Sequence, residues 1–334
     1  MNPLYSTKIQ NAFLEGRVLG LKEEGVKPQH IQTVISNVFL FPNTVYKIYK
    51  WDNTSFNKSF RDISKPDIRK QFYEEDFSWN HYFNNEVYQE LLGVMVQREK
   101  VELTRLKNNT DDLVIQMKRI DDSYNLTNLL REQHIKTADA RRIGFEMTKA
   151  IAEFPHRPET TKNWYDFMQI RFRDVEKFLH MAKPSVTEKE ITYFMDKLRG
   201  YAKRNIEQFT SIDSDKLSVS IDNHSDNIIY RDKKTSFIDI YPPKEDWMFS
   251  DPFQNVCRLS VDIYALGGKK LADELIQGYQ EYYKVQEIDE RLKLFYQIYA
   301  AFIQIAYRFI LSQPDEANKY KKFVEENIDD MLAA

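Results

Sequence analysis

Segments that read as strands and segments that read as helices are unevenly distributed along this chain, and that asymmetry limits its possible folds more than any single motif. "HIQTVI", "NVFLF" and "TVYKIYK" are short, β-branched and aromatic, with breaks at Ser36-Asn37 and Pro42-Asn43. A helix is predicted from about Pro66 to Asn84, with Ser64 as its cap and Pro66 in the first turn. Its face at helical spacing carries Phe72, Asp76, Trp79, Asn80 and Phe83. "DDLVIQMKRI" (Asp111–Ile120) reads as a further strand, reached through the polar turn "KNNTDD". Beyond it the pattern becomes helical. Ile143, Met147, Ile151 and Phe154 form one stripe, and Trp164, Phe167, Met168, Val175 and Phe178 a second. Thr187 with Glu190 makes a capping box ahead of Ile191, Phe194, Leu198, Tyr201 and Ile206. The expected organisation is α+β: a small strand-rich N-terminal lobe over residues 1–118 and a larger, mainly helical C-terminal lobe over 119–334.

Composition narrows the function classes. Hydrophobic residues make up 42% of the 334 and charged residues 30%, enough for a sizeable core in a globular chain. The 48 basic and 51 acidic residues leave a formal charge of −3 with no strongly basic end, which argues against a nucleic-acid platform. A single cysteine, Cys257, rules out a disulfide framework and fits a reducing cytoplasm. "MNPLYSTKIQ" has no apolar signal core. The most membrane-like run, Leu294–Leu311, carries Gln297, Gln304 and Arg308 and therefore reads as a buried helix, so no membrane partner is expected.

One stretch interrupts the helices. "SVSIDNHSDNIIYRDKKTSFIDIYPP" (Ser218–Pro243) sets four Asp, one His and two Asn between apolar runs, with strands expected near Leu217–Ile221, Ile228–Arg231 and Ser236–Asp239. Asn and Asp are common turn-formers, but a turn does not require strands on both sides and a further Asp at a fixed distance. Phosphoryl transfer does require such a set. It needs a strand Lys for the phosphates, a helix acid to orient that Lys, an Asp beside the attacking hydroxyl, and an Asn and an Asp for metal. The chain offers Lys47, Asp76, Asp222, Asn227 and Asp239 in that order. Alternation places Lys47 and Tyr49 on one strand face and Tyr46 and Ile48 on the other. Asp226 and Asp213 read as exposed loop acids.

"SIDNHSDNIIY…FIDI" resembles the H-G-D-x-H-x-x-N…[IF]-D signature of the aminoglycoside phosphotransferase and choline kinase superfamily, with its D-x-H-x-x-N core intact at Asp222, His224 and Asn227. "QTVISNVFL…VYKIYK", "FYEEDFSWN", "LVIQMKRID" and "SDPFQNVCRLSVDIYAL" are similar to successive segments of a bacterial branch of that superfamily, over roughly residues 30 to 285. The resemblance implies a bilobal protein-kinase-like fold and an ATP- and Mg2+-dependent phosphotransferase acting on a hydroxyl of a small molecule. It implies that Lys47 binds the α- and β-phosphates with Asp76 as its partner, that Asp222 is the catalytic aspartate, and that Asn227 and Asp239 hold Mg2+. Met117 would line the adenine pocket and His224 would stabilise the loop. Ser220-Ile221 stands where the family has His-Gly, and no Gly-rich loop precedes Lys47. The bend Thr33–Ser36 would therefore cover the phosphates with its own N–H groups and hydroxyls. These departures motivate an alternative, a nucleotide-binding pseudokinase that serves as an interaction module. A phosphorylation-gated protein kinase is not expected, because only a short segment separates Asp239 from the next helix.

Overall fold

The computed structural model describes residues 3–98, 100–106, 109–155, 160–183, 185–242 and 244–332. Residues 107 and 108 of the polar turn and Pro243 of the Asp-rich stretch lie outside them. The chain separates into two compact units: residues up to Asp122 together with Phe237–Lys244, and Ser123–Ser236 together with 245 onward.

The first unit is built on a seven-stranded sheet. Its strands are β1 (Val18–Leu19), β2 (Gln29–Gln32), β3 (Ser36–Leu40), β4 (Thr44–Tyr49), β5 (Tyr88–Gln97), β6 (Lys100–Arg105) and β7 (Asp112–Lys118), in the order β1-β6-β5-β7-β4-β3-β2. All neighbours are antiparallel except the short β1/β6 pair. β4 is an interior strand and buried along its whole length. It pairs with β3 through Val38↔Lys47 and with β7 through Lys47↔Ile115. Strand alternation then separates the side chains of β4 between two faces. Tyr46 packs on Phe13 of the helix Pro3–Leu14, ring centroids 5.6 Å apart. Tyr49 packs on Phe72 and Tyr73 of the helix Pro66–Phe83, at 4.8 and 4.6 Å. Lys47 shares the face of Tyr49 and so meets that second helix.

The helix Pro66–Phe83 starts as its sequence predicts, with Pro66 in the first turn and Asp67 complementing the helix dipole. Its cap position is Lys65, without a side-chain hydrogen bond, so the expected role of Ser64 is corrected. The Ser64 hydroxyl donates instead to Asp62 at 2.5 Å. A buried ion pair, Arg69 to Asp112 at 3.0 Å, fastens the helix to β7.

The second unit is a helical assembly around the helix Glu290–Ile310, whose Phe295, Tyr296, Tyr299 and Phe302 are fully buried. Gln297, Gln304 and Arg308 lie inside as well, and Gln297 donates to the Ser260 hydroxyl at 2.8 Å. No helix among the described residues is long and apolar enough to cross a membrane. The Thr187/Glu190 capping box forms, and Ile191, Phe194, Leu198 and Tyr201 are buried behind it. Ile206 is exposed and begins a separate short helix, Ile206–Thr210. Helices Thr137–Glu153 and Lys269–Tyr283 cross at Gly144 and Gly278. A methyl group at Gly144 would lie 2.0 Å from the Leu275 carbonyl oxygen, and one at Gly278 would lie 2.1 Å from that of Arg141.

The Asp-rich stretch supplies β8 (Ser218–Val219), β9 (Ile228–Arg231) and β10 (Lys234–Phe237), and β8 pairs with β11 (Phe249–Ser250). Asp232 and Lys233, with φ of 52° and 61°, make the tight turn between β9 and β10. The third strand ends at Phe237, two residues before Asp239, which lies beyond it in a left-handed conformation.

Candidate active site

The first unit assembles one cation and two carboxylates around β4. Lys47 is 4% exposed; its Nζ pairs with the Asp239 carboxylate and lies 3.5 Å from Oδ2 of Asp76. Burial disfavours the ammonium, but Asp239 and Asp76 outweigh it and hold the Lys47 pKa well above the ordinary lysine range. Burial pushes the Asp76 carboxyl up. Lys47 opposes that shift, and the second carboxylate, Asp239, adds to it.

Asn80, one helical turn after Asp76, organises the cluster. Its Nδ2 donates to Asp76 Oδ1 at 2.9 Å, and its Oδ1 accepts from the Ile240 N–H at 3.1 Å. The Tyr88 hydroxyl accepts from the Asp239 N–H at 2.7 Å. These two bonds hold the backbone on either side of Asp239, whose φ of +51° is tolerated by Asp better than by most residues. The result is a half-exposed carboxylate on a fixed backbone, beside a buried lysine.

Ser36 and Met117 share the sheet face of Lys47. Ser36 pairs with Tyr49, and Met117 with Val45, each two residues from Lys47 along β4. The bend before β3 is ordered by its own side chains. Thr33 Oγ1 accepts from the N–H groups of Ser36 at 2.9 Å and Ile35 at 3.3 Å, and lies 2.7 Å from Ser36 Oγ. Lys50 Nζ donates to the Thr33 carbonyl at 2.6 Å.

The second unit holds Asp222 and Asn227 on one closed loop. Asn227 Nδ2 donates to the Asp222 carbonyl at 2.8 Å, and the Asp222 carboxylate pairs with Arg258. Asn223 donates to the Asn255 carbonyl at 2.6 Å, and both the N–H and the hydroxyl of Ser225 donate to Asp262. His224 is buried against the Tyr307 ring, with Nε2 3.9 Å from Asp222 and Nδ1 3.4 Å from Asp226. Burial alone would lower its pKa, but the nearby Asp222 and Asp226 carboxylates raise it above the usual value. Asp226 is no exposed loop acid. It accepts from Thr127 at 2.6 Å, pairs with Arg308 at 2.8 Å, and has its carboxyl pKa held far below the usual range against the opposing effect of burial. Ile221, standing where the resemblance has Gly, is 1% exposed and needs no positive φ, so an apolar side chain fits that backbone.

Solved structures share this architecture. A choline/ethanolamine kinase family protein from Mesorhizobium loti is 9% identical, with 95% of each chain covered and a TM-score of 0.54. A glucosamine kinase in complex with glucosamine, ADP and inorganic phosphate is 10% identical over 92% of this chain and 82% of that one, with a TM-score of 0.53. Choline kinase from Cryptosporidium parvum Iowa II is 11% identical over 97% of both chains, with a TM-score of 0.52. The chain has the aminoglycoside phosphotransferase and choline kinase-like fold. No protein-family model and no curated protein matches its sequence.

Within this kinase-like fold the residues suit a sparsely held divalent cation. Two carboxylates to one ammonium leave the Lys47 cluster with a net negative charge, and Asp239 is accessible. Among the described residues no group of three or more His, Cys, Asp or Glu forms a metal cage. Magnesium does not need one, since it keeps waters and takes one or two carboxylates plus substrate phosphates.

The sequence reading missed Tyr88 and Arg258, and placed Arg308 in a buried helix without its partner. Arg308 had a legible signal, a charge inside a largely apolar helical run, where a charge must be paired. Tyr88 had none, because its hydroxyl bonds to a backbone position far along the chain.

Proposed function

We propose that this chain is an ATP- and magnesium-dependent phosphotransferase acting on a hydroxyl of a small molecule. The observation that carries the reading is the Lys47–Asp76–Asp239 cluster, a buried lysine fixed between a helix carboxylate and an accessible carboxylate on a rigid backbone. Lys47 holds the phosphate chain, and Asp76 keeps its ammonium aimed. Asp239 and Asn227 would hold Mg2+, which when bound neutralises charge developing on the phosphates. Asp222 orients the acceptor hydroxyl. As the acceptor oxygen bonds to the γ-phosphorus, its proton passes to Asp222 and the bond to the departing ADP oxygen breaks. Ser36 and Thr33 face the phosphates, and Met117 the adenine.

One observation favours the pseudokinase alternative: the N–H groups of Ile35 and Ser36 are already engaged by Thr33 Oγ1, so phosphates must displace it to use them.

Calorimetric titration of Mg-ATP into wild type, Asp222→Asn and Asp239→Ala, with and without Mg2+, tests both readings alongside ADP release. Asp222→Asn is expected to bind Mg-ATP normally and to lose roughly 10²–10⁴-fold in turnover. Asp239→Ala is expected to lose metal-dependent affinity as well. Binding without turnover by the wild type favours the pseudokinase, and equal binding by all three proteins overturns the role given to Asp239.

A further inference from the structure

Asp222 is anchored through one of its two carboxylate oxygens. Arg258, in the helix Pro252–Gly267, pairs Nη2 with Asp222 Oδ1. The arginine is 8% exposed, and its Nε is buried without a hydrogen-bond partner among the described residues. The other carboxylate oxygen, Oδ2, is turned toward His224 Nε2 at 3.9 Å, beyond hydrogen-bond reach. About a third of the Asp222 side chain remains accessible. The result is a carboxylate held at one oxygen by a guanidinium on a buried helix, with no hydrogen bond to its second oxygen among the described residues.

A bare aspartate on a loop turns about two side-chain bonds. A planar guanidinium fixed by burial removes much of that freedom, because its donors lie in a set geometry and the ion pair sits in a low-dielectric surrounding. Proton transfer demands that the accepting oxygen be held within hydrogen-bond reach of the donor. We propose that Arg258 is a positioning residue for Asp222, holding Oδ1 so that Oδ2 is presented to the acceptor hydroxyl. The inference rests on the phosphotransferase reading.

A double-mutant cycle tests it. Arg258→Gln and Arg258→Lys are made alone and with Asp222→Asn. ADP release from Mg-ATP is measured with choline, ethanolamine or glucosamine as trial acceptor, and with water alone. Arg258→Gln is expected to lose about 10²-fold in kcat, the scale of a misplaced reacting group, with the KM for ATP unchanged. Arg258→Lys keeps a cation and is expected to lose about tenfold less. In the Asp222→Asn background neither substitution should lower kcat further. If Arg258→Gln does not fold, the Lys variant completes the same cycle.

An unchanged kcat in the variant that folds, or a loss of the same size in the Asp222→Asn background, overturns the inference while leaving the phosphotransferase reading standing. A wild-type turnover that Asp222→Asn does not reduce overturns the reading itself. So does the absence of any turnover, and the inference falls with it in either case.

Discussion

Lys47 Nζ and Asp76 Oδ2 face each other at 3.5 Å, with both side chains at or below 5% exposure. Two charges so deeply withdrawn from water are expensive to create, and such a pair often adds little net stability over apolar residues of the same size. Removing one partner is another matter. Lys47→Met should destabilise the fold by ~3–5 kcal/mol, because Asp76 is left buried without its cation. The double variant Lys47→Met/Asp76→Leu should recover most of that loss in a denaturant titration and none of the nucleotide affinity. Recovery of both would mean that the pair serves the fold alone.

A second expectation concerns pH. The pKa of His224 is raised in the folded state, so its stabilising contribution is complete below its unfolded value of roughly 6.5 and is lost as pH rises through the folded value. That of Asp226 is lowered, so its contribution is complete above roughly 4 and is lost on acidification. Melting curves of the wild type should therefore decline on the alkaline side of about pH 6.5, and those of His224→Gln should not. Parallel profiles for the two proteins would show that the imidazole does not carry a proton in the fold.

A third concerns the helix crossing at Gly144 and Gly278. No rotamer change relieves a methyl group set 2.0 Å from a carbonyl oxygen of the facing backbone, so the helices must move apart. Gly144→Ala is expected to lower stability by about 1–3 kcal/mol, the usual penalty of overpacking. Gly200→Ala is the control, since only the flexible end of Arg204 lies near it and the backbone is helical. If Gly144→Ala melts with the control, the crossing is looser than the geometry indicates.

Much of this arrangement was legible in the sequence, for identifiable reasons. Lys47 and Asp76 are paired as the family resemblance implies, although strand alternation alone left Lys47 free to be a solvated lysine. Asp76 shares a helical face with Phe72 and Trp79, which pointed it inward. β5 and β6 were not read. In "YQELLGVMVQ" the apolar run follows Gln89 and Glu90 and is interrupted by Gly93, which weakens the strand pattern, and β6 is a short segment in which Val101 and Leu103 alternate with polar and charged residues. β5 is held between β6 and β7, and β6 between β5 and β1, so sheet context rather than apolar pattern secures them. Asp226 was misread for a similar reason. Its partners, Thr127 and Arg308, come from distant helices, and a short polar loop looks the same in sequence whether or not such partners exist.

Two of the bonds made by Asn80, to the Asp76 carboxylate and from the Ile240 N–H, have a thermodynamic corollary. One amide group touches the carboxylate that steadies the lysine and the backbone that carries the accessible carboxylate, so displacement of either is transmitted to the other. A cation drawing on Asp239 and an anion drawing on Lys47 would then report to each other through a shared strut. Energetic coupling between two ligands is reciprocal: whatever factor the cation contributes to anion affinity, the anion returns to the cation. Coupling of a cation at Asp239 to an anion at Lys47 would then need only an asparagine whose two ends cannot be displaced independently.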